Sequence, residues 1–441
     1  MSRTTEYATD HDIDPAADLL QAAPRSGAPA GRKPVVPAHP GDVYVGRKYF
    51  QLVLILGAMA VLGPLTIDAY LPAFPRIATD LGASTSQVQL TLMAFLAGLA
   101  VGQLVIGPLS DSVGRRRPLM VGLLVHILAS LVIATFPTLE IMTAARFVQG
   151  IGGAAVTVVS LAIVRDLFSG KRAAIVLSRL ILVMGVGPII APIFGSLLMR
   201  WTSWHGVFYA LAVVGVATAV LAWRLVPETL PVARRAPLQL RGTLSSYRIL
   251  LRDRAFLASA LAGGMVFGCL FAYVGGSSTA LQEVYGFSPG QFALVLAAIS
   301  LGFTVVSQVN SVLIQRWDPA RVLIVVLGFL VLSAVVMTVL VRADLGVLGF
   351  LIPAFFLMVS CGLAMPNASA VSLQGYGERA GTAAAVLGAL QFTIGAITSI
   401  MVGVLADGTA NGVPTVALVA AVIAAALVFS VRRTLLARNY D

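Results

Sequence analysis

The chain has 441 residues, 58% of them hydrophobic and 11% charged, with a mean hydropathy of +0.92 and a formal net charge of +11. A soluble domain carries about 25% charged residues, so there are too few charges here to cover a water-facing surface of this size, and the same numbers exclude wholesale disorder. Two cysteines, with no CxxC or Cys/His cluster, exclude a disulfide framework and a zinc site. The positive charge does not point to nucleic acid either. Lys and Arg fall in short clusters between long apolar runs (Arg115–Arg117, Arg165 with Lys171 and Arg172, Arg234–Arg235, Arg432–Arg433) rather than along one continuous face.

Residues 1–48 are rich in proline, carry six basic and six acidic residues, and contain no long apolar run. They lack the apolar core and small-residue cleavage site of a signal peptide, and their composition predicts a disordered cytoplasmic tail. From Tyr49 onward, apolar stretches alternate with short polar breaks. A helix needs ~20 apolar residues to cross a bilayer. The stretches predict twelve spans, at roughly 50–74, 86–109, 118–136, 140–164, 174–199, 205–224, 256–277, 290–314, 322–341, 348–373, 382–405 and 413–431. Proline and glycine inside them are compatible with helix, because neighbouring helices can satisfy the freed backbone groups. An even number of spans puts both ends on one side. That side then collects 25 of the 30 Lys and Arg and the other side three, which predicts cytoplasmic ends. The longest internal connection, 225–255, is polar and basic. It predicts two six-helix halves, 49–224 and 256–431, joined by a cytoplasmic linker and followed by a short tail, 432–441. A weak repeat agrees: Leu109, Arg117 and Leu119 recur as Leu313, Arg321 and Leu323.

Asp68 is the only acid placed well within a span, in Pro64-Leu65-Thr66-Ile67-Asp68-Ala69-Tyr70-Leu71-Pro72. An ionisable group there is expensive and marks a functional site by default. Arg146 lies in the fourth span, ~9 Å below its outer end, at a depth similar to that of Asp68, and Gln149 is one turn further in on the same face. The alternatives are a carboxylate just outside the membrane for Asp68 and a structural ion pair for Arg146. In the fifth span, Gly187, Ala191 and Gly195 recur every four residues beside Pro188 and Pro192, a spacing that allows close helix contact. Phe267, Phe271 and Tyr273 of the seventh span form an aromatic stripe that either lines a cavity or packs as core. The loop after the second span reads Gly107-Pro108-Leu109-Ser110-Asp111-Ser112-Val113-Gly114-Arg115-Arg116-Arg117. Gly107 there lets backbones approach, and Gly114 permits a tight turn. Asp111 suits a helix amino terminus, and Arg115 can bridge to Asp166 at the inner end of the fourth span. No GxxxxGK[ST] occurs, so nothing marks nucleotide hydrolysis as an energy source.

Together these stretches resemble the bicyclomycin-resistance (Bcr/CflA) subfamily of drug:proton antiporters, within the major facilitator superfamily. The resemblance is detailed from about Leu56 to Gly195 and thinner through Pro227-Glu228-Thr229, 267–273 and 381–403. It implies an all-α membrane fold of twelve transmembrane helices in two six-helix halves, working by alternating access. It implies proton coupling by Asp68 and Arg146, and a substrate cavity reached by Tyr70, Gln149, Phe267, Phe271 and Tyr273. It further implies a cytoplasmic gate of Gly107, Asp111, Gly114, Arg115 and Asp166, with Asp111 at the amino terminus of the eleventh span near Gly381-Thr382. Residues 187–195 resemble the antiporter motif, with Gly195-Ser196 where relatives carry two glycines. The single acid of the first span, with Ala60 and Gly63 upstream, departs from relatives that have two and tells against mechanisms needing a titrating pair. The expected activity is proton-driven export of small drug-like amphipaths or toxic metabolites across the bacterial inner membrane. The expected form is a monomer in the lipid bilayer, without cofactor, metal or nucleic acid. The alternative on the same fold is a proton-coupled importer of a small metabolite. An enzyme would need paired acids, a Ser/His set or metal ligands within the spans, and none is visible.

Overall fold

Several spans begin where a side chain receives the first free amides of a helix. The computed structural model describes residues 44–235, 237, 240–405 and 409–437, and among them it contains helices and no strands. The first span is α1 (Gly46–Asp68) continued, after a 3-10 turn at Leu71–Ala73, by α2 (Phe74–Asp80). The next five are α3 (Thr85–Val113), α4 (Arg116–Thr135), α5 (Leu139–Leu167), α6 (Gly170–Leu198) and α7 (Trp204–Leu225). A short helix, α8 (Leu240–Arg252), precedes the last six: α9 (Arg254–Ser278), α10 (Pro289–Leu313), α11 (Pro319–Arg342), α12 (Gly346–Leu373), α13 (Ala380–Leu405) and α14 (Gly412–Ala437). Twelve of these segments are long and apolar enough to cross a membrane, at the places the sequence predicts.

Three boundaries differ from expectation. The predicted tail, 1–48, falls outside the described residues up to 43, and Gly46 already opens α1. At the other end α14 runs on to Ala437, so 432–437 continue the last helix rather than forming a tail. The linker contains α8, which a search for ~20-residue apolar runs passes over because it is short and amphipathic.

The capping pattern also exposes the internal repeat. Ser84 and Gln87 make a reciprocal capping box at the start of α3, and Ser288 and Gln291 make the same box at the start of α10. Each pair is separated by 204 residues, as are Leu109 and Leu313. The repeat breaks at the next helix. Asp318 caps α11 from its own chain position, donated to by the amides of Ala320 and Arg321. At the start of α4 no local side chain does this, and Glu228 of the linker takes its place.

Glycine sets the closest helix contacts. A Cβ on Gly98 would collide with the Phe147 carbonyl, and one on Gly150 with the Phe95 carbonyl, so α3 and α5 touch backbone to backbone. α6 lies as close to the first span. A Cβ on Gly187 would sit 2.6 Å from Pro64 Cβ, and one on Gly195 would collide with the Ala69 carbonyl oxygen. Across the two sets of six, α3 packs on α13 and α6 on α10. At the ends predicted to face outward, Thr85 donates to Glu283, Gln89 Nε2 to Thr279 Oγ1 (3.1 Å), and Ser278 Oγ to the Leu71 carbonyl (3.2 Å). Thr279–Val284 form a π-helical turn, the wide winding that recurs at functional positions.

Candidate functional site

Arg146 on α5 is wholly buried, its guanidinium 4.3 Å from the centroid of Tyr70 and 4.5 Å from that of Phe95. Aromatic faces attract a cation and are cheap partners in a dry interior. Nη1 donates to the Thr66 carbonyl of α1 (3.2 Å) and to Gln149 Oε1 (2.8 Å). Gln149 Nε2 in turn donates to Ser130 Oγ of α4 (2.8 Å), and Ser130 to the His126 carbonyl (2.7 Å). Arg146 Nε and Nη2 donate to no neighbour among the described residues. Asp68, 5% exposed at the end of α1, makes no ion pair with Arg146 or with any other described residue. The structure therefore brings Arg146, Gln149 and Tyr70 together and holds Arg146 two residues short of Asp68. Thr66, Ser130 and Phe95 complete the cluster. Sequence reading passed over them because a backbone carbonyl and a helix-buried serine carry no motif.

The signature loop builds a second cluster at the ends of α3, α4 and α5 that are predicted to face the cytoplasm. Arg115 Nε donates to Asp166 Oδ2 (2.9 Å), its Nη1 to Ser110 Oγ (2.8 Å) and to Asp111, and Thr229 donates to Asp166 Oδ2 (2.9 Å). Burial works against the charge of Arg115, but Asp166 and Asp111 outweigh it and raise its pKa above the usual arginine value. Glu228 accepts the amides of Arg115 (2.8 Å) and Arg116 (3.2 Å), where a carboxylate complements the helix dipole. Gly114 is needed twice over. Its φ is +96°, and a Cβ would sit 2.5 Å from Glu228 Oε2. Gly107, by contrast, has open space around its missing Cβ and is not a close-approach site. Asp111 pairs with Arg115 within its own helix turn and makes no bond to Gly381 or Thr382, so the expected cap of α13 is not formed.

This geometry separates two roles. Removing Arg115 would leave Asp166, with 17% side-chain exposure, only Thr229 as a side-chain partner among the described residues, whereas the Asp111 side chain is 53% exposed. Exposed ion pairs contribute ~0.2–1 kcal/mol. Arg115→Ala should therefore lower the unfolding temperature of the purified protein clearly, and Asp111→Asn should lower it little. Equal shifts would mean that Asp166 does not depend on Arg115.

The remaining expected cavity residues are core. Tyr70 packs on Phe74 (5.0 Å) and Phe208 (5.7 Å), with its hydroxyl 3.3 Å from Thr91 Oγ1. The aromatic stripe of α9 splits. Phe267 lies against Phe271 (4.8 Å) and Phe392 of α13 (5.2 Å), while Tyr273 turns to Phe350 of α12 (6.5 Å). A cleft of about 660 Å³ opens between α3 and α5, lined by Met93, Ala97, Leu139, Glu140 and Phe147, and none of the expected cavity residues borders it. Of the antiporter-motif stretch, Ala191 is fully buried, and Pro188 and Pro192 lie within α6 without interrupting it.

Comparison with known proteins agrees with this architecture. The chain is 35% identical over 401 residues to the uncharacterized MFS-type transporter YdgK of Bacillus subtilis (strain 168), covering 89% of this chain and 98% of that one. It is 34% identical over 361 residues to a bicyclomycin resistance protein homolog of Haemophilus influenzae, covering 82% and 91%. It is 29% identical over 381 residues to multidrug resistance protein MdtL of Salmonella heidelberg, covering 86% and 95%. A bacterial homolog of the human lysosomal transporter Spinster, solved inward-facing and unoccupied, shares the fold at a TM-score of 0.70 over 90% of this chain and 99% of its own, with 15% identity. The family model that matches residues 56–400 is that of the Major Facilitator Superfamily. The chain belongs to that superfamily and to its bicyclomycin-resistance branch, and is a multi-pass membrane transport protein rather than an enzyme.

Proposed function

We propose that this transporter exports small amphipathic compounds in exchange for protons, as a monomer in the bacterial inner membrane with both ends in the cytoplasm. One observation carries the reading: two ionisable groups, Asp68 and Arg146, are buried in the first six spans without being paired with each other, and Arg146 holds the backbone of α1 two residues before Asp68. Groups left in that condition within a membrane are costly, and a transport cycle gives them a use. In this cycle an ionised Asp68 draws Arg146 away from Thr66 and Gln149. A proton entering from outside neutralises Asp68, and Arg146 returns to the Thr66 carbonyl and the faces of Tyr70 and Phe95. A drug competing for the carboxylate sends the proton inward, so proton entry and drug exit alternate. The gradient is sufficient: one charge crossing 100 mV releases ~2.3 kcal/mol, and one pH unit about 1.36 kcal/mol. The names of the bicyclomycin-resistance and multidrug-resistance relatives support the substrate class.

The test is purified protein in vesicles with an imposed pH gradient and a fluorescent amphipathic dye. Dye moving against its own gradient and opposite to the proton flow is the expected result. Dye moving with the protons would make the chain an importer, and dye movement indifferent to the pH gradient would remove proton coupling.

A further inference from the structure

The linker helix α8 has a polar and an apolar side, and only part of the apolar side is used. Leu250 is buried against Phe256 and Ala260 of α9 and Ala383, Val386 and Leu387 of α13. Tyr247 beside it donates its hydroxyl to the Leu104 carbonyl of α3 (2.8 Å). Leu244 and Leu251 continue the same apolar arc, since residues three, four and seven apart share a helix face. They are 67% and 45% exposed. Arg248 and Arg252 lie along the edge of this open part, both exposed. Apolar residues bordered by basic ones along a helix of large hydrophobic asymmetry are the pattern of a helix lying in a membrane surface.

The level of α8 agrees. α3 has 29 residues and is ~43 Å long, longer than the ~30 Å apolar core of a bilayer. Leu104 lies nine residues before its inner end at Val113, or ~13 Å back along the helix. A helix tied to that carbonyl sits beside the lipid rather than out in water. Asp253, which caps α9 immediately after α8, fixes the other end where the seventh span enters the membrane.

The geometry points to α8 as a docking surface for anionic phospholipid, with Leu244 and Leu251 among the acyl chains and Arg248 and Arg252 on the headgroup phosphates. Charge selects this occupant: no acidic residue lies between Leu240 and Arg252, and each arginine near an anionic surface strengthens attachment about fivefold. Which leaflet α8 meets rests on the proposed orientation, whereas its lipid preference does not.

A nitroxide label on Leu244→Cys, and separately on Leu251→Cys, tests this in the full chain, because the native Cys269 and Cys361 are fully buried. The labelled protein is placed in nanodiscs of phosphatidylcholine alone or mixed with phosphatidylglycerol. Both faces of a nanodisc carry the same lipid, so a wrong orientation does not affect the outcome. Collision with membrane-soluble oxygen should rise, and with a water-soluble nickel chelate fall, when phosphatidylglycerol is present. Arg248→Gln/Arg252→Gln should abolish that response, and Arg248→Lys/Arg252→Lys should keep it. Labels open to the nickel chelate in both lipids would overturn the proposal. So would labels equally immersed in both lipids and in the Gln variant, which would leave apolar contact without anion recognition.

Discussion

Asp68→Asn should reduce the drug gradient that reconstituted vesicles sustain to unity, whatever pH difference is imposed. The native protein should hold about a tenfold drug gradient per pH unit for each proton exchanged, since one pH unit and a tenfold concentration ratio are the same free energy, ~1.36 kcal/mol. The loss follows from position. Asp68 is the one buried acid among the described residues, and Arg146 donates to a carbonyl, Thr66, and an amide, Gln149, so no second buried carboxylate among them stands ready to take over. Asparagine keeps the shape and removes the titrating oxygen. Downhill movement of neutral dye should therefore survive, and that surviving flux reports that the variant is folded and inserted. Vesicles of Asp68→Asn that still concentrate dye would place the proton carrier elsewhere.

The second large effect is steric. Gly195→Val should abolish transport and lower the unfolding temperature, because its first side-chain carbon would collide with the Ala69 carbonyl oxygen, a backbone atom one residue from Asp68. Overpacking of this kind typically costs ~1–3 kcal/mol, and here α6 must move off the first span to relieve it. Gly63→Ala is the matched control. It lies on α1, and a Cβ there meets nothing within 4 Å, so its unfolding temperature should stay near that of the native protein. Gly187→Val, whose Cβ would press on Pro64 at 2.6 Å, should fall between the two. Native behaviour of both bulky variants would mean that α6 does not pack closely there during the cycle.

The parts of this molecule that were legible in its sequence are those written in a regular code. The length of the apolar runs gave the twelve helices, and a lone acid and a lone arginine at matching depth drew attention to Asp68 and Arg146. What stayed hidden depends on atoms without a side-chain signature or on contacts between distant segments. Arg146 rests on the backbone of Thr66, and no residue type announces a carbonyl. Gln149 reaches Ser130, 19 residues away on another helix. Phe267 and Tyr273 read as one stripe, yet they face α13 and α12, because residues six apart on a helix stand ~120° apart around its axis. α8 was invisible to a search for membrane-length runs for the same reason that it suits a surface: it is only half apolar.

The way α4 is capped has a consequence for synthesis. The amides that open this helix are met by Glu228, and Asp166 at the end of α5 is met by Thr229, both residues made only after the sixth span. While the chain is emerging from the ribosome, the linked ends of the second, third and fourth spans wait without these partners until residue 229 has left the exit tunnel. A chain split into two co-expressed fragments should therefore reassemble better when cut beyond Arg235 than when cut just after Leu225. The first six spans become a complete folding unit only when the opening of the linker travels with them.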